Sequence, residues 1–199
     1  MEMKETFKTS GAEATIELRD DVIVKSRVPK QYRVREIDEH LRRERTKIEA
    51  KLIAEARKAG VPTPIIYDVV NCEILMEYID GVQLKHVLDA KLSERVGELV
   101  GHLHTAGIVH GDLTTSNMIL SGERVYLIDF GLAYFDQSTE ARGVDVHVLF
   151  QTFESTHEGH ETLIKSFVKG YRKTFGGADD VLQRVKEIES RGRYRTERL

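Results

Sequence analysis

Cysteine is almost absent from this 199-residue chain. Cys72 stands alone, which excludes a disulfide framework and any cysteine-based zinc site. Proline is nearly as scarce: it occurs only at positions 29, 62 and 64, so no Ala-Pro-Glu sequence can stand beyond residue 64. No apolar run approaches the roughly 20 residues of a membrane-spanning helix. The N-terminal stretch MEMKETFKTSGAEA is charged and lacks the apolar centre of a secretion signal. These absences predict a soluble, cytoplasmic protein with no membrane contact. There is no internal repeat and no low-complexity segment. The spacing of His102, His104 and His110 is poor for a shared metal.

Charge, by contrast, is plentiful. Asp, Glu, Lys and Arg make up 32% of the chain, against roughly 25% in typical globular domains. With only two asparagines, this leans towards a heat-adapted source. The net charge of −3 hides two basic stretches. Residues 27–58 hold 11 Lys/Arg against 6 Asp/Glu, and residues 184–199 hold 6 against 3. Such stretches are either solvated faces or a footprint for a phosphate-rich polymer. No apolar periodicity follows Ile188, so the tail RGRYRTERL at 191–199 is expected to be exposed and poorly ordered.

The chain should fold as an α+β protein. EATIEL and DVIVKSRV alternate around Asp20-Asp21 and predict a hairpin. Arg35–Ala59 is helical in pattern, with Ile37, Leu41, Ile48, Leu52 and Ala56 on one stripe, and Gly60 and Pro62 stop it. Strands IIYDVV and CEILMEYI follow, and most of the chain after Leu88 reads as helix, broken by MIL and VYLID. Strands with one helix first and helices afterwards predict a β-rich lobe over 1–80 and a mostly helical lobe over 81–199.

On the predicted helix, Glu49 falls within the apolar arc, where a carboxylate needs a partner. Lys25, ending VIVK, can supply one; the alternative is an exposed lysine and a partly snorkelling glutamate. If Glu49 is a costly buried acid, Glu49→Ala should hold or raise stability while lowering catalysis. HGDLTTSNMIL places Asp112 and Asn117 five residues apart, and VYLIDFGLA follows with Asp129 opening Asp-Phe-Gly. Asp112 can accept a proton from an attacking hydroxyl or orient a water, while Asn117 and Asp129 offer hard oxygens to Mg²⁺ on ATP phosphates. In this order, behind Lys25 and Glu49, the five residues describe phosphoryl transfer.

The stretches GAEA at 11–14, VIVKSRVPKQYR at 22–33, RTKIEAKLI at 45–53, MEYIDG at 76–81, HGDLTTSNMIL at 110–120, IDFGLA at 128–133, VDVHVLFQTFESTH at 144–157 and RGRYR near the end carry a resemblance. The chain resembles the small atypical kinase/ATPase subunit of the KEOPS (EKC) complex, the family that includes the p53-related protein kinase PRPK. The resemblance implies a minimal two-lobed protein-kinase-like fold, and it points to an archaeal source. It also implies assembly with the subunit that installs the threonylcarbamoyl group of t6A on tRNA, and with a small helper subunit on the N-terminal lobe. Lys25 and Glu49 would orient phosphates, Asp112 would be the catalytic base, and Asn117 and Asp129 would hold Mg²⁺. The backbone of Glu77–Ile79 would meet adenine, and Ser10, Gly11, Ala12 and Glu13 would cover the phosphates of ATP.

The departures from ordinary protein kinases have physical content. The phosphate-covering loop has one glycine, so backbone N–H groups can approach phosphate only around Ser10–Ala12. Gly111 stands where an arginine would receive an activation-loop phosphate, and Thr114 where a lysine would neutralise the transferred group. Only sixteen positions lead from Asp129 to Asp145, and no Ala-Pro-Glu follows, which leaves no room for a peptide-docking platform. A restricted serine/threonine kinase or ATPase inside a complex fits best, with water, its own residues or a partner tail as acceptor. Small-molecule phosphotransferases of the aminoglycoside or choline-kinase sort need more helical material than the 54 residues after Asp145. A RIO-type kinase matches in size, although IDFG and RTKIEA fit it less well. A non-catalytic tRNA-binding scaffold is the third alternative.

Overall fold

A computed structural model describes residues 7–11 and 13–196, the side chains of 192–196 excepted. Five antiparallel strands form the first sheet, in the order β1-β2-β3-β5-β4. They are β1 (Lys8–Ser10), β2 (Ala14–Arg19), β3 (Val22–Arg27), β4 (Ile66–Val70) and β5 (Glu73–Glu77). The β2–β3 turn closes through Asp20 and Asp21, both at positive φ (47° and 63°), the backbone that a tight two-residue hairpin demands. β1 is a strand where the sequence reads as the start of the phosphate-covering loop. Its three residues, Lys8, Thr9 and Ser10, are all exposed and polar, so no alternation marks the strand.

The long helix α1 (Arg35–Lys58) packs on this sheet and ends before Gly60, whose φ is +87°. Its buried face differs from the predicted stripe. Leu52, Ile53 and Ala56 are buried, but Ile37, Leu41 and Ile48 are exposed (57%, 37% and 51%). Asp38, Thr46 and Glu49 take the inner positions instead, each with a partner. Asp38 accepts from Arg42 Nε at 2.7 Å, and the Thr46 hydroxyl donates to the Arg42 carbonyl at 2.7 Å. Polar groups satisfied in this way can stand where the hydrophobic period calls for leucine.

After β6 (Val82–Gln83) the chain is dominated by α2 (Ala90–Thr105), α3 (Thr139–Thr156), α4 (His160–Thr174) and α5 (Ala178–Thr196). Short strands β7 (Ile108–Val109), β8 (Met118–Ser121), β9 (Arg124–Leu127) and β10 (Tyr134–Phe135) lie between α2 and α3. Phe150, Phe153, Phe167 and Tyr171 form a chain of ring contacts in the core. Leu52, Ile53 and Ala56 of α1 join this same core, tying the sheet region to the helices. Each buried leucine or phenylalanine contributes about 1.5–3 kcal/mol relative to exposure. The C-terminal backbone is helical through Thr196, beyond Ile188 where the apolar periodicity ends; of the tail expected to be exposed and poorly ordered, the side chains of 192–196 and residues 197–199 lie outside the described residues.

Candidate active site

β3 places Lys25 inward, and its ammonium sits between two carboxylates. Nζ donates to Glu49 Oε1 at 2.5 Å and to Asp129 Oδ1 at 2.7 Å. Lys25 and Glu49 are both buried. Burial disfavours the lysine charge, but the carboxylates of Glu49 and Asp129 outweigh it and hold the Lys25 pKa above its usual value. Asp129 shows the reverse balance: burial pushes it up, and Lys25 brings it below the ordinary carboxylate range. Glu49 also accepts from Arg27 Nη2 through Oε2, at 2.5 Å. Its second cation was not expected from the sequence.

Asp112 and Asn117 are brought together by the turn between β7 and β8. Asn117 Nδ2 donates to the Asp112 carbonyl at 2.9 Å and to Asp112 Oδ2 at 2.8 Å. The amide nitrogen is thereby committed, and the Asn117 oxygen is left as the group a cation can use. Asp129 adopts φ +61°, a conformation that Asn and Asp tolerate better than other non-glycine residues. These are hard oxygen donors, suited to Mg²⁺ shared with phosphates more than to zinc. Among the described residues no cluster of three or more His, Cys, Asp or Glu could hold a metal alone.

The turn that carries His110, Gly111 and Asp112 is braced from behind by α3. Asp145 accepts from the backbone N–H of His110 at 2.8 Å and of Gly111 at 2.9 Å. His104 Nε2 adds a third contact at 3.2 Å, and His104 Nδ1 lies 2.7 Å from the Tyr171 hydroxyl. With Nε2 donating to Asp145, Nδ1 is left to accept from Tyr171. Burial pushes the Tyr171 pKa up and keeps the hydroxyl a donor. Burial also pushes the Asp145 carboxyl up, yet the hydrogen bonds from the His104 ring and the His110 backbone leave it below the ordinary value. Asp145→Asn turns an acceptor into an N–H₂ facing a backbone donor. It should lower stability by about 1–3 kcal/mol and slow phosphoryl transfer. Thermal unfolding checks this; an unchanged midpoint with wild-type turnover would leave the brace without a role.

Gly111 has its own reason. Its φ is +78°, and a Cβ there would collide with the Leu132 carbonyl. The segment after Asp129 passes directly over this position and pairs back, with Tyr134 opposite Val109 and Phe135 opposite Ile108. An arginine cannot occupy the site without moving that segment.

Two adjoining hollows share Thr9, Ile16, Lys25 and Asp129. The inner one, about 310 Å³, has apolar walls from Ile23, Met76, Ile79 and Ile128 and is edged by Glu77 and Asn117. The Glu77 N–H is already donated to the Ile65 carbonyl at 2.8 Å, so that donor is not open to a base. The outer one, about 620 Å³, is lined by Ser10, Gly11, Glu13, Arg27, Arg45 and Asp112, among others. Gly11 N–H closes the β1–β2 turn on the Ala14 carbonyl at 2.9 Å. The amide expected to face phosphate is therefore used inside the hairpin. Glu13 pairs with Lys30 at 2.8 Å; Ala12 lies outside the described residues.

A five-stranded sheet with one long helix, set against a helical part across a Lys–Glu–Asp site, defines a protein-kinase-like fold. The Rio2 kinase of Chaetomium thermophilum shares it: TM-score 0.67 at 16% identity, covering 92% of this chain and 72% of that one. The family model for the RIO domain matches residues 14–165. A KEOPS complex subunit Bud32 from Pyrococcus abyssi is 44% identical, over 93% of this chain and 94% of its own length. A probable serine/threonine-protein kinase BUD32 homolog from Archaeoglobus fulgidus is 50% identical, over 92% and 94%. The chain belongs to the RIO domain family and, within it, to the Bud32 proteins. The RIO and KEOPS-subunit readings, set against each other on sequence, coincide. A probable bifunctional tRNA threonylcarbamoyladenosine biosynthesis protein from Methanosarcina acetivorans is 65% identical over 93% of this chain. The chain spans only about a third (35%) of that relative's length. No described helix is long and apolar enough to cross a membrane.

Proposed function

We propose that this chain is an ATP- and Mg²⁺-dependent atypical serine/threonine kinase or ATPase that works in the cytoplasm, within a KEOPS-type assembly, to support t6A modification of tRNA. The observation that carries the reading is the single ammonium of Lys25 held between Glu49 and Asp129 at the join of two hollows. The lobes divide at 80/81. Adenine enters the inner hollow against the backbone of Glu77–Ile79, and the phosphates extend past Ser10, Gly11, Ala12 and Glu13. Lys25 binds the α- and β-phosphates, and Glu49 keeps it aimed. Asn117 and Asp129 would hold Mg²⁺, which supplies charge neutralisation on the phosphates when bound. Asp112, steadied by the Asn117 amide, accepts the proton of the attacking water or hydroxyl on its free oxygen.

A relative is named as a subunit of a KEOPS complex; within such an assembly the partners that the family resemblance implies are the threonylcarbamoyl-transferase subunit and a small helper subunit on the N-terminal lobe. Val34, Ile37, Leu41 and Ile48 are exposed along one side of α1 and offer that lobe an apolar docking stripe. Phosphate release and self-labelling from ATP, with the chain alone and with the transferase subunit and tRNA, test the activity. Absence of both under every condition would leave a scaffold.

tRNA contact through the basic helix and tail is part of the same proposal. Deleting 191–199 keeps the buried anchors Val181, Leu182 and Val185 of α5, so folding and ATP binding should be unchanged. In the assembled complex, tRNA binding should weaken, with a salt slope shallower by about one unit per lost phosphate contact. Filter binding at several salt concentrations reads this, and identical slopes would deny the tail a nucleic-acid role.

A further inference from the structure

Two sources of positive charge that an ordinary kinase directs at the nucleotide phosphates are missing here: the Gly11 amide closes its own turn, and Thr114 replaces a lysine. The cleft nevertheless holds a cation that these comparisons do not require. Arg27 lies two residues beyond Lys25 on β3, and residues i and i+2 of a strand share a face. Both line the outer hollow, and both are more than nine-tenths buried. Each takes one oxygen of Glu49.

A guanidinium has five N–H donors. Arg27 commits one nitrogen, Nη2, to Glu49, while its Nε is buried with no hydrogen-bond partner among the described residues. Such a group is costly to leave unpaired. The two cationic heads also converge. A Cβ on Gly131 would stand 3.6 Å from Lys25 Nζ and 3.8 Å from Arg27 Nη2. Glycine leaves that point open, within reach of both cations. Asp129 Oδ1 lies 3.0 Å from the same point, so an anion is welcome there only when the Asp129 charge is engaged elsewhere, as it would be by a divalent cation.

We infer that Arg27 binds the terminal phosphate of the nucleotide beside Lys25, supplying from strand β3 the charge that the glycine-poor loop and catalytic turn lack. This rests on the ATP reading above. It makes Arg27 a residue that distinguishes nucleoside triphosphate from diphosphate. A purely structural Arg27, present only to neutralise Glu49, would have no such effect.

The test compares Mg²⁺-ATP and Mg²⁺-ADP affinities of the full chain by calorimetry, for wild type, R27Q, R27K, E49Q and R27Q/E49Q. R27Q should lose about tenfold or more in ATP affinity, the size of one charge-assisted hydrogen bond, with ADP affinity changed less than about twofold. R27K should recover part of the ATP loss. If R27Q does not fold, R27Q/E49Q removes the unpaired carboxylate, and its ATP-to-ADP ratio should fall about tenfold below that of E49Q. Equal losses for ATP and ADP, or no loss, would overturn the role of Arg27 alone. A wild type that binds neither nucleotide would overturn the ATP reading and this inference with it.

Discussion

Asp129→Ala is expected to abolish ATP turnover, by about a thousandfold or more, while the protein remains folded. The side chain is nearly half exposed (45%) and contributes no apolar packing. Lys25 keeps Glu49 as a partner when Asp129 is lost. The structural cost is therefore small and has one clear source, the backbone. Asp129 sits at φ +61°, and a residue with a Cβ but no local hydrogen bond costs about 1–2 kcal/mol there. The functional cost is large on the proposed function, in which Asp129 would give Mg²⁺ a direct oxygen and with it charge stabilisation of the transferring group. Asp129→Asn separates the two. Asparagine tolerates the left-handed backbone, so stability should return nearly to wild type while turnover stays low. Phosphate release and thermal unfolding on the three proteins decide it. Wild-type turnover in Asp129→Ala with Mg²⁺ present would remove Asp129 from the metal site.

The residues of the site were legible where chemistry fixes spacing along the chain. Asp112 and Asn117 are five residues apart because one short turn must bring an amide to a carboxylate. Lys25 and Glu49 were legible because a glutamate on an inward arc needs a partner. Arg27 carried a signal that went unused: in VIVKSRV the alternation that turns Lys25 inward turns Arg27 inward too. The apolar stripe of α1 was misplaced for a different reason. Hydrophobic periodicity assumes that polar residues face water, and three residues break that assumption: Asp38 and Thr46 bond to Arg42 one turn away on the same helix, and Glu49 takes Lys25 and Arg27 from β3. The steric reason for Gly111 could not be read from the sequence, since it depends on a carbonyl twenty-one positions away. Local pattern finds groups that act on their neighbours; contacts set by tertiary packing need the packing.

Glu49→Ala is expected to destabilise the protein and to impair catalysis, and here the structure reverses an expectation drawn from sequence. A lone buried carboxylate is a burden whose removal relieves the fold. Glu49 is not alone: it holds two buried cations, one on each oxygen. Truncation leaves Lys25 with Asp129, whereas the Arg27 guanidinium loses Glu49, its one hydrogen-bonded partner among the described residues. Breaking a buried ion pair by removing one member costs about 3–5 kcal/mol, because the remaining charge stays desolvated. In a chain of this length that corresponds to a fall in melting temperature on the order of 10 °C. Turnover should drop as well, since Lys25 would swing fully to Asp129 and be drawn from the phosphates. Nucleotide affinity should change less than turnover, because Glu49 itself touches no phosphate. The double variant R27Q/E49Q provides the control: with both charges gone it should regain much of the lost stability but none of the turnover. Thermal unfolding of the single and double variants measures the coupling directly. A melting temperature for Glu49→Ala at or above wild type would show that the two cations do not depend on this carboxylate, and that Glu49 is the costly acid the sequence alone suggested.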